Sequence, residues 1–119
     1  SHHGEDPRRI NDFSKINQYH IKMLAYFVDK LSKADELGGT VLDHSLILYG
    51  SNMGNPNQHL HHDVPHVLIG GASGKLKGGR HLAYPSKTVP TCNLLLSVLD
   101  IFGIHQDKIG DSTGRLENL

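Results

Sequence analysis

Apolar residues recur at three- and four-residue steps through residues 11–33, which is the period of an amphipathic helix. The stripe predicted to face the core consists of Phe13, Ile16, His20, Met23, Phe27 and Leu31. Asn11 or Asp12 is the candidate N-cap, and Gly38-Gly39 predicts a turn beyond the helix. His20 on this stripe is either a hydrogen-bonded core residue or a ligand.

Two short apolar segments bounded by glycine predict strands over residues 45–50 and 66–70. Such apolar strands are typical of a sheet that helices cover on both faces. Between them lies the polar segment SNMGNPNQHLHHDVP, which has no helical period and is predicted to be an irregular loop at a strand end. Loops in that position often carry the functional residues of α/β sheets.

A second helix is predicted over residues 89–102, with Thr88 as its cap and Pro90 in its first turn. Its apolar residues surround the axis, so it should be buried on most sides, with Cys92 packed as a small apolar residue. The tail that follows is predicted to be loop, and Asp111-Ser112-Thr113 to be a turn.

Helix, strand, loop, strand and helix together predict an α/β fold. Two strands alone leave sheet edges and apolar surface without partners. Residues 1–119 are therefore expected to be a single domain that is the C-terminal fragment of a larger α/β domain, or a protomer that completes its sheet as a homo-oligomer.

Composition excludes several classes of protein. The chain has 12 basic and 12 acidic side chains, which argues against a nucleic-acid partner because counterion release needs a basic excess. No apolar run is long enough to span a membrane, and the first residues lack the apolar core of a signal peptide. The single cysteine excludes an internal disulfide and a multi-cysteine zinc site.

Four of the ten histidines fall between His59 and His66. Neutral imidazole is a common ligand for zinc and related metals, so this density is the main chemical signal in the chain. His61 and His62 are neighbours and point to opposite sides of an extended segment, whereas His59 and His61 can share one side.

A site on this loop needs further ligands. His2 or His3 can supply one only if the N-terminal segment folds back beside the loop. Asp63 is a candidate for orienting a ligating imidazole through a hydrogen bond. The alternative is a polar, hydrogen-bonded loop that holds no metal.

The glycine-rich segment after the second strand carries Lys75, Lys77 and Arg80. It is not a Walker phosphate loop, because Ile69 and Leu76 occupy positions where that motif needs a glycine and a Ser or Thr. It is predicted to be a flexible hairpin or covering loop, with its basic side chains as candidate contacts to an anionic ligand.

Four segments carry a family resemblance: Ser1-His2-His3-Gly4, LDHSLILYGSNMGNPNQH, GGRHL and IGDSTGRL. In this order they resemble the C-terminal part of the HXXSHH family, mostly bacterial secreted proteins of unknown function. The last three residues of the motif that names the family match Ser1, His2 and His3. The resemblance implies a periplasmic or secreted location for the full-length family.

The HXXSHH family is distantly similar to the alkaline phosphatase and sulfatase superfamily, which implies a partial alkaline-phosphatase-like sheet with flanking helices. In that comparison Ser51-Asn52 resembles the metal-binding pair after a central strand, His59 a later metal ligand, and His2 and His3 an upstream ligand segment. The implied set for zinc or another divalent metal is His2, His3, Asn52, His59 and His61, with Ser51, Asp63 and Arg80 around it or facing an anion.

The resemblance implies a metal-dependent hydrolase acting on a small anionic ester, a phosphate or a sulfate. Serine at position 51 replaces an aspartate and is a poor ligand for divalent metals, and the superfamily's N-terminal aspartate and its nucleophile have no counterpart here. The chain alone is therefore expected to be incomplete as a catalyst. The alternative function is a non-catalytic binding or oligomerising module with a histidine-rich loop.

Overall fold

The computed structural model describes residues 2–119, so Ser1, the first residue of the SHH segment, lies outside the described residues. The protein is mixed α/β, with two small antiparallel sheets that each have two strands. The predicted α/β class is confirmed at this level.

The first helix, α1, spans Pro7–Ser32 and begins four residues before the predicted start. The side chain of Asp6 caps it by accepting hydrogen bonds from the backbone N–H groups of Arg8 and Arg9, and Pro7 occupies the first turn. The prediction that Asn11 or Asp12 is the cap is wrong, because Asp6-Pro7 provides the stronger start signal upstream.

The apolar stripe of α1 is only partly covered. Phe13 and Leu31 are half-buried, but Ile16 is 53% exposed, Met23 45% and Phe27 49%. His20 is exposed as well. The prediction that the whole stripe lies in the core is therefore wrong, because periodicity identifies an apolar face without identifying what covers it.

A small hairpin and a short helix follow α1. Strand β1 (Asp35–Glu36) pairs with β2 (Gly39–Thr40), and α2 spans Val41–His44. Leu37 and Gly38 form the turn, both with positive φ, so the predicted turn at Gly38-Gly39 lies one residue too late.

Helix α2 was not predicted, although its start signal is present in the sequence. Thr40 and Asp43 cap each other's backbone N–H groups, an arrangement that a Thr three residues before an acidic residue favours. Helix α1 packs against α2.

The second sheet consists of β3 (Ile47–Gly50) and β4 (His66–Ile69), which are antiparallel. The predicted strand 45–50 starts two residues too early, because Ser45 instead caps the C-terminal end of α2, where its hydroxyl donates to the carbonyl oxygen of Val41. The predicted strand 66–70 ends one residue too late.

Helices do not cover this sheet on both faces, contrary to the prediction. Cross-strand partners share a face, so Leu48 lies beside Leu68 and Tyr49 beside Val67 on the other side. Leu48 is 39% exposed and Val67 49%, so each face leaves apolar surface open.

After β4, a single 3₁₀ turn at Ala72–Gly74 leads into a long irregular segment and then into α3, which spans Thr91–Ile101. The predicted helix 89–102 is slightly too long at both ends. Thr88 does not cap α3, because its hydroxyl donates to the carbonyl oxygen of Pro85, and Pro90 occupies the N-cap position.

Three of the five buried residues in the described part of the chain lie on α3, and the other two are Ala72 and Ser112. Leu96 is fully buried, and the polar Asn93 and Ser97 are nearly so. Asn93 bonds both the backbone N–H and the hydroxyl of Thr113, and Ser97 accepts from the N–H of Leu116 at 2.8 Å. These buried polar side chains hold the C-terminal tail against α3.

Other contacts agree with the predicted roles of the tail and of Cys92. The hydroxyl of Ser112 accepts from the N–H of Ile109 at 2.9 Å, which is turn chemistry. Arg115 and His105 both bond the carboxyl of Asp100 and lower its pKa, Arg115 more strongly. Cys92 is half-buried on α3, and its hydrogen bond to Asp111 raises the pKa of the thiol.

The protein exposes more surface to solvent than a compact domain of its mass does. The solvent-accessible area is 8387 Å², whereas a compact monomer of this mass exposes about 6,400 Å². The radius of gyration is 16.6 Å, against about 13.5 Å for a compact domain of this length. No helix within residues 2–119 has the length and apolar character needed to cross a membrane.

Leu96 and Leu37 provide a matched pair for measuring the core. Leu96 is 0% exposed and Leu37 is 90% exposed. We expect Leu96→Ala to lower the free energy of unfolding by roughly 2–5 kcal/mol, because a buried leucine leaves a cavity. Leu37→Ala should change it by less than about 0.5 kcal/mol. Urea unfolding followed by circular dichroism gives both values, and equal losses would contradict the assignment of the core to α3.

Candidate functional site

The candidate site lies on the histidine loop, residues 51–65, which joins β3 to β4. The ladder pairs Gly50 with His66, and the N–H of Ser51 continues it by donating to the carbonyl oxygen of Pro65 at 3.2 Å. The two ends of the loop are therefore fixed side by side.

The tip of the histidine loop has its own hydrogen bonds. The side-chain oxygen of Asn55 accepts from the N–H groups of Asn57 and Gln58, at 3.0 and 3.2 Å. The backbone closes below this turn, since Gly54 donates to Leu60 at 2.9 Å and Leu60 donates to Asn55 at 3.0 Å. These hydrogen bonds make the tip an ordered turn.

Glycine at position 54 is required by how closely the two arms of the loop approach. A Cβ atom there would lie 2.2 Å from the carbonyl oxygen of His62, which is far inside contact distance. Gly50 has the same role where β3 meets the histidine loop, since a Cβ there would lie 2.6 Å from the carbonyl oxygen of Pro65. These glycines let the arms pack backbone to backbone.

The N-terminal segment folds back onto this loop. The N–H of Gly4 donates to the side-chain oxygen of Asn57 at 2.9 Å, and the Asn57 amide donates to the Glu5 carboxylate at 3.0 Å. As a result the rings of His2 and His59 meet edge to face, with 4.7 Å between their centroids and planes at 89°. Two of the sequence-predicted site residues are therefore in contact, although 57 positions separate them.

His59 occupies an uncommon backbone conformation. Its φ is 53°, in the left-handed region, where most residues other than glycine are disfavoured. Histidine tolerates this region better than bulky or β-branched residues do. The conformation turns the chain sharply at the point where His59 meets His2.

His3 is directed back into its own segment. Its side chain is 13% exposed, and its Nδ1 lies 3.2 Å from the N–H of Glu5 and 3.8 Å from the Glu5 carboxylate. His3 therefore braces the turn before α1, while His2 is the histidine that reaches the loop.

The residues at the start of the histidine loop have local roles. Ser51 donates to the carbonyl oxygen of Met53 at 2.8 Å and accepts from its N–H at 3.1 Å, so the hydroxyl builds a turn. Nδ1 of His61 lies 3.4 Å from the carbonyl oxygen of Asn52, across the loop. The side chains of Asn52 and His61 are exposed.

Asp63 orients the imidazole of His62, which is not one of the predicted metal ligands. Nδ1 of His62 lies 2.8 Å from the Asp63 carboxylate, and the hydroxyl of Ser86 donates to the same oxygen at 2.9 Å. These two hydrogen bonds lower the pKa of Asp63, with His62 contributing most. This is not a serine-protease-like triad, because the serine bonds the carboxylate and not the imidazole.

Arg80 lies away from the histidine pair, in the segment after β4. Its Nε donates to the carbonyl oxygen of Lys77 at 2.8 Å, and its Nη1 donates to that of Asn118 at 2.5 Å. It therefore ties its own loop to the C-terminal tail.

The side chains predicted to bind a metal do not form a cluster. Within residues 2–119, no point gathers three or more His, Cys, Asp or Glu side chains in an arrangement suited to a metal ion. A catalytic zinc takes about three protein ligands. Of the predicted ligands, His2 and His59 are in contact with each other without a third ligand beside them.

Sequence reasoning missed Asn57 and Ser86. Asn57 holds the N-terminal segment on the loop, and Ser86 joins the covering segment to Asp63. The Asn-Pro-Asn run at residues 55–57 indicates a turn, but neither long-range bond has a local signal in the sequence.

Gly54→Ala tests whether the loop needs this close approach. We expect the added methyl group to push the arms apart and to weaken the hydrogen bond from the N–H of Leu60, so hydrogen exchange at that amide should accelerate. Gly78→Ala is the matched control, because a Cβ there meets nothing within 4 Å. Amide exchange by NMR measures both, and an unchanged rate at Leu60 in Gly54→Ala would contradict the described packing.

Comparisons with known proteins add no relative to this geometry. No family model, curated protein or solved structure matches the chain. The structure itself shows a mixed α/β chain in which an ordered loop places His59 in contact with His2. The resemblance to the HXXSHH family and to alkaline phosphatases therefore stays a prediction.

Proposed function

We propose that this chain contributes part of the divalent-metal site of a phosphatase- or sulfatase-like ester hydrolase of the HXXSHH type. The observation that carries the proposal is the contact between His2 and His59, whose ring centroids are 4.7 Å apart. The sequence resemblance names both residues as metal ligands, and a shared metal requires them to be neighbours.

The donor set suits a metal of the zinc type. Imidazole nitrogen is a preferred ligand for zinc, and the contact brings two imidazoles within 4.7 Å of each other, measured between ring centroids. His61, two positions after His59, is the next donor along the loop. A divalent ion held there would polarise an oxygen of a phosphate or sulfate ester. Within this chain, Asn57 positions the N-terminal segment and Asn55 holds the loop tip.

The remaining ligands of such a site would come from polypeptide beyond the described residues. The open surface supports this arrangement, since apolar side chains on both faces of the β3–β4 sheet and on one face of α1 are 39–60% exposed. We therefore propose that the chain acts as the C-terminal part of a larger α/β hydrolase, in the periplasm or secreted as the resemblance implies.

Zinc titration tests the metal proposal. We expect zinc to raise the melting temperature of the wild-type chain, because a ligand that binds only the folded state stabilises it. His59→Ala and His2→Ala should each lose most of this shift. His20→Ala, an exposed histidine on α1, should keep it.

Two variants are used because the zinc-induced shift in melting temperature can be lost through a backbone change as well as through loss of a ligand. His59 has a positive φ, so its replacement alters the backbone as well as the ligand, whereas His2 is an exposed residue of the N-terminal segment. A zinc shift that persists in both His2→Ala and His59→Ala, or that is absent from the wild type, would overturn the proposal.

A second candidate is an assembly module without catalysis. It is favoured by the exposed face of α1, where Ile16, Tyr19, Met23, Tyr26 and Phe27 are 45–60% exposed. Large apolar patches on a soluble protein usually mark contact surfaces. Under this second candidate, the histidine loop is a polar surface without a catalytic role.

Sedimentation equilibrium in a metal-free buffer tests the second candidate. An assembly module should form a dimer or larger species at micromolar concentration, and Phe27→Asp should dissociate it by placing a charge in the apolar face. Lys22→Asp, on the same helix and also exposed, is the control for added negative charge. A monomer at all concentrations would contradict this candidate and leave the hydrolase proposal unaffected.

A further inference from the structure

A serine and a histidine meet where α2 contacts the 3₁₀ turn after β4, at the end of the β3–β4 sheet opposite to the histidine loop. Oγ of Ser73 lies 3.2 Å from Nδ1 of His44, although 29 positions separate the two residues. Ser73 is exposed and His44 is half-buried. A serine hydroxyl within hydrogen-bond reach of an imidazole is the arrangement in which a base activates a nucleophile.

Two glycines bring the 3₁₀ turn close to α2. A Cβ at Gly70 would lie 2.3 Å from the carbonyl oxygen of Ser45, and a Cβ at Gly71 would lie 2.5 Å from that of Asp43. The N–H of Ala72 donates to the carbonyl oxygen of Ser45 at 2.9 Å. Backbone contacts therefore fix the turn against the end of the helix, and with it the distance between the two side chains.

The backbone of this turn is strained. Three consecutive residues have positive φ, namely Ala72 at 46°, Ser73 at 56° and Gly74 at 84°. Only glycine adopts this region freely, and strained positions of this kind cluster at functional sites. Ala72 is 6% exposed, so it anchors the turn while the next residue, Ser73, faces solvent.

The imidazole of His44 has a second nitrogen that is available for proton exchange. Nε2 is buried and has no hydrogen-bond partner among residues 2–119. When the ring proton is on Nε2, Nδ1 is free to accept from the hydroxyl of Ser73. Buried polar atoms without partners are rare and are found at catalytic positions more often than elsewhere.

A carboxylate lies near this nitrogen. A Cβ at Gly39 would lie 3.0 Å from Oδ2 of Asp43 and 3.5 Å from Nε2 of His44, so both atoms border the same point. Hydrogen bonds from Thr40 lower the pKa of Asp43, and the charge of His44 acts in the same direction. Asp43 is therefore charged at neutral pH, and its charge favours the imidazolium that forms when His44 takes a proton.

The surroundings of Ser73 limit the substrates that it could attack. The N–H groups of Gly74 and Lys75 already bond carbonyl oxygens of the same turn, at 2.8 and 3.2 Å, so they are not available to stabilise an oxyanion. Without that stabilisation, a good leaving group is needed. The exposed position of Ser73 suits a small acyl group that needs no binding pocket.

From these contacts we propose that Ser73 and His44 form a nucleophilic site that takes the acyl group from small carboxylic esters with good leaving groups. Oγ of Ser73 bonds the carbonyl carbon of the ester while Nδ1 of His44 takes the hydroxyl proton. The bond to the leaving oxygen then breaks, and that oxygen keeps the electron pair and receives the proton from His44. The products are acyl-Ser73 and the free alcohol, and no metal takes part.

The test is reaction of the whole chain with p-nitrophenyl acetate in a buffer containing a chelator, with acetylated residues located by peptide mass spectrometry. We expect Ser73 to be acetylated about 100-fold faster than Ser86, which is the contribution expected of a general base. Ser86 is the matched control because it is also exposed, but its hydroxyl bonds the carboxylate of Asp63 and not an imidazole.

Two variants assign the base. His44→Gln should slow the acetylation of Ser73 by about 100-fold, because an amide can bond the hydroxyl but cannot take its proton at neutral pH. His20→Gln removes an exposed imidazole on α1 and should leave the rate unchanged. Circular dichroism checks that both variants fold, and the comparison of Ser73 with Ser86 in the wild-type chain needs neither variant.

Two outcomes would overturn the proposal. Acetylation of Ser73 no faster than that of Ser86 would mean ordinary surface reactivity. A folded His44→Gln variant that acetylates Ser73 at the wild-type rate would mean that His44 is not the base. Neither outcome bears on zinc binding at His2 and His59, so the metal proposal is judged separately.

Discussion

The antiparallel pairing of β3 with β4 is the constraint on which the candidate site depends. It places Gly50 opposite His66 and so fixes both ends of the histidine loop at one separation. A shift of one residue in this register would move every side chain to the opposite face and bring a side chain to the position where Gly50 permits close contact with Pro65. The turn at Asn55 has its own hydrogen bonds, but the register sets where the loop begins and ends, and so where Asn57 and His59 meet the N-terminal segment.

The chain is held together by polar side chains as much as by apolar packing. Leu96 is fully buried, but the neighbouring buried residues on α3 are Asn93 and Ser97, and each bonds the tail. Buried polar groups cost free energy unless they are paired, so these bonds specify where the tail lies more than they add stability. The same tail accepts the hydrogen bond from Arg80, which ties the segment after β4 to the packing around α3.

Sequence reasoning found the elements with strong local signals. The periodicity of α1 and the apolar runs of β3 and β4 predicted those elements to within a few residues, and the density of histidine predicted the loop that carries the candidate site. Contacts that depend on distant partners were not predictable. The exposure of Met23 and Phe27, the bond from Asn57 to the N-terminal segment and the bond from Ser86 to Asp63 involve residues far apart in the chain. Helix α2 is a different case, because its capping residues were present and were overlooked.

The hydrogen bond between Gly4 and Asn57 closes a loop of the chain across 53 positions. If those residues were flexible, the entropy lost on closure would exceed what one hydrogen bond contributes. Much of the span is not flexible, because α1 is a rigid helix of 26 residues, about 39 Å long. The chain just after its C-terminal end is joined to α2 by the hydrogen bond from the N–H of Val41 to the carbonyl oxygen of Ala34. The helix therefore lowers the entropic cost of bringing His2 to His59, and the meeting of the two histidines depends on the rigidity of a helix that contributes no side chain to it.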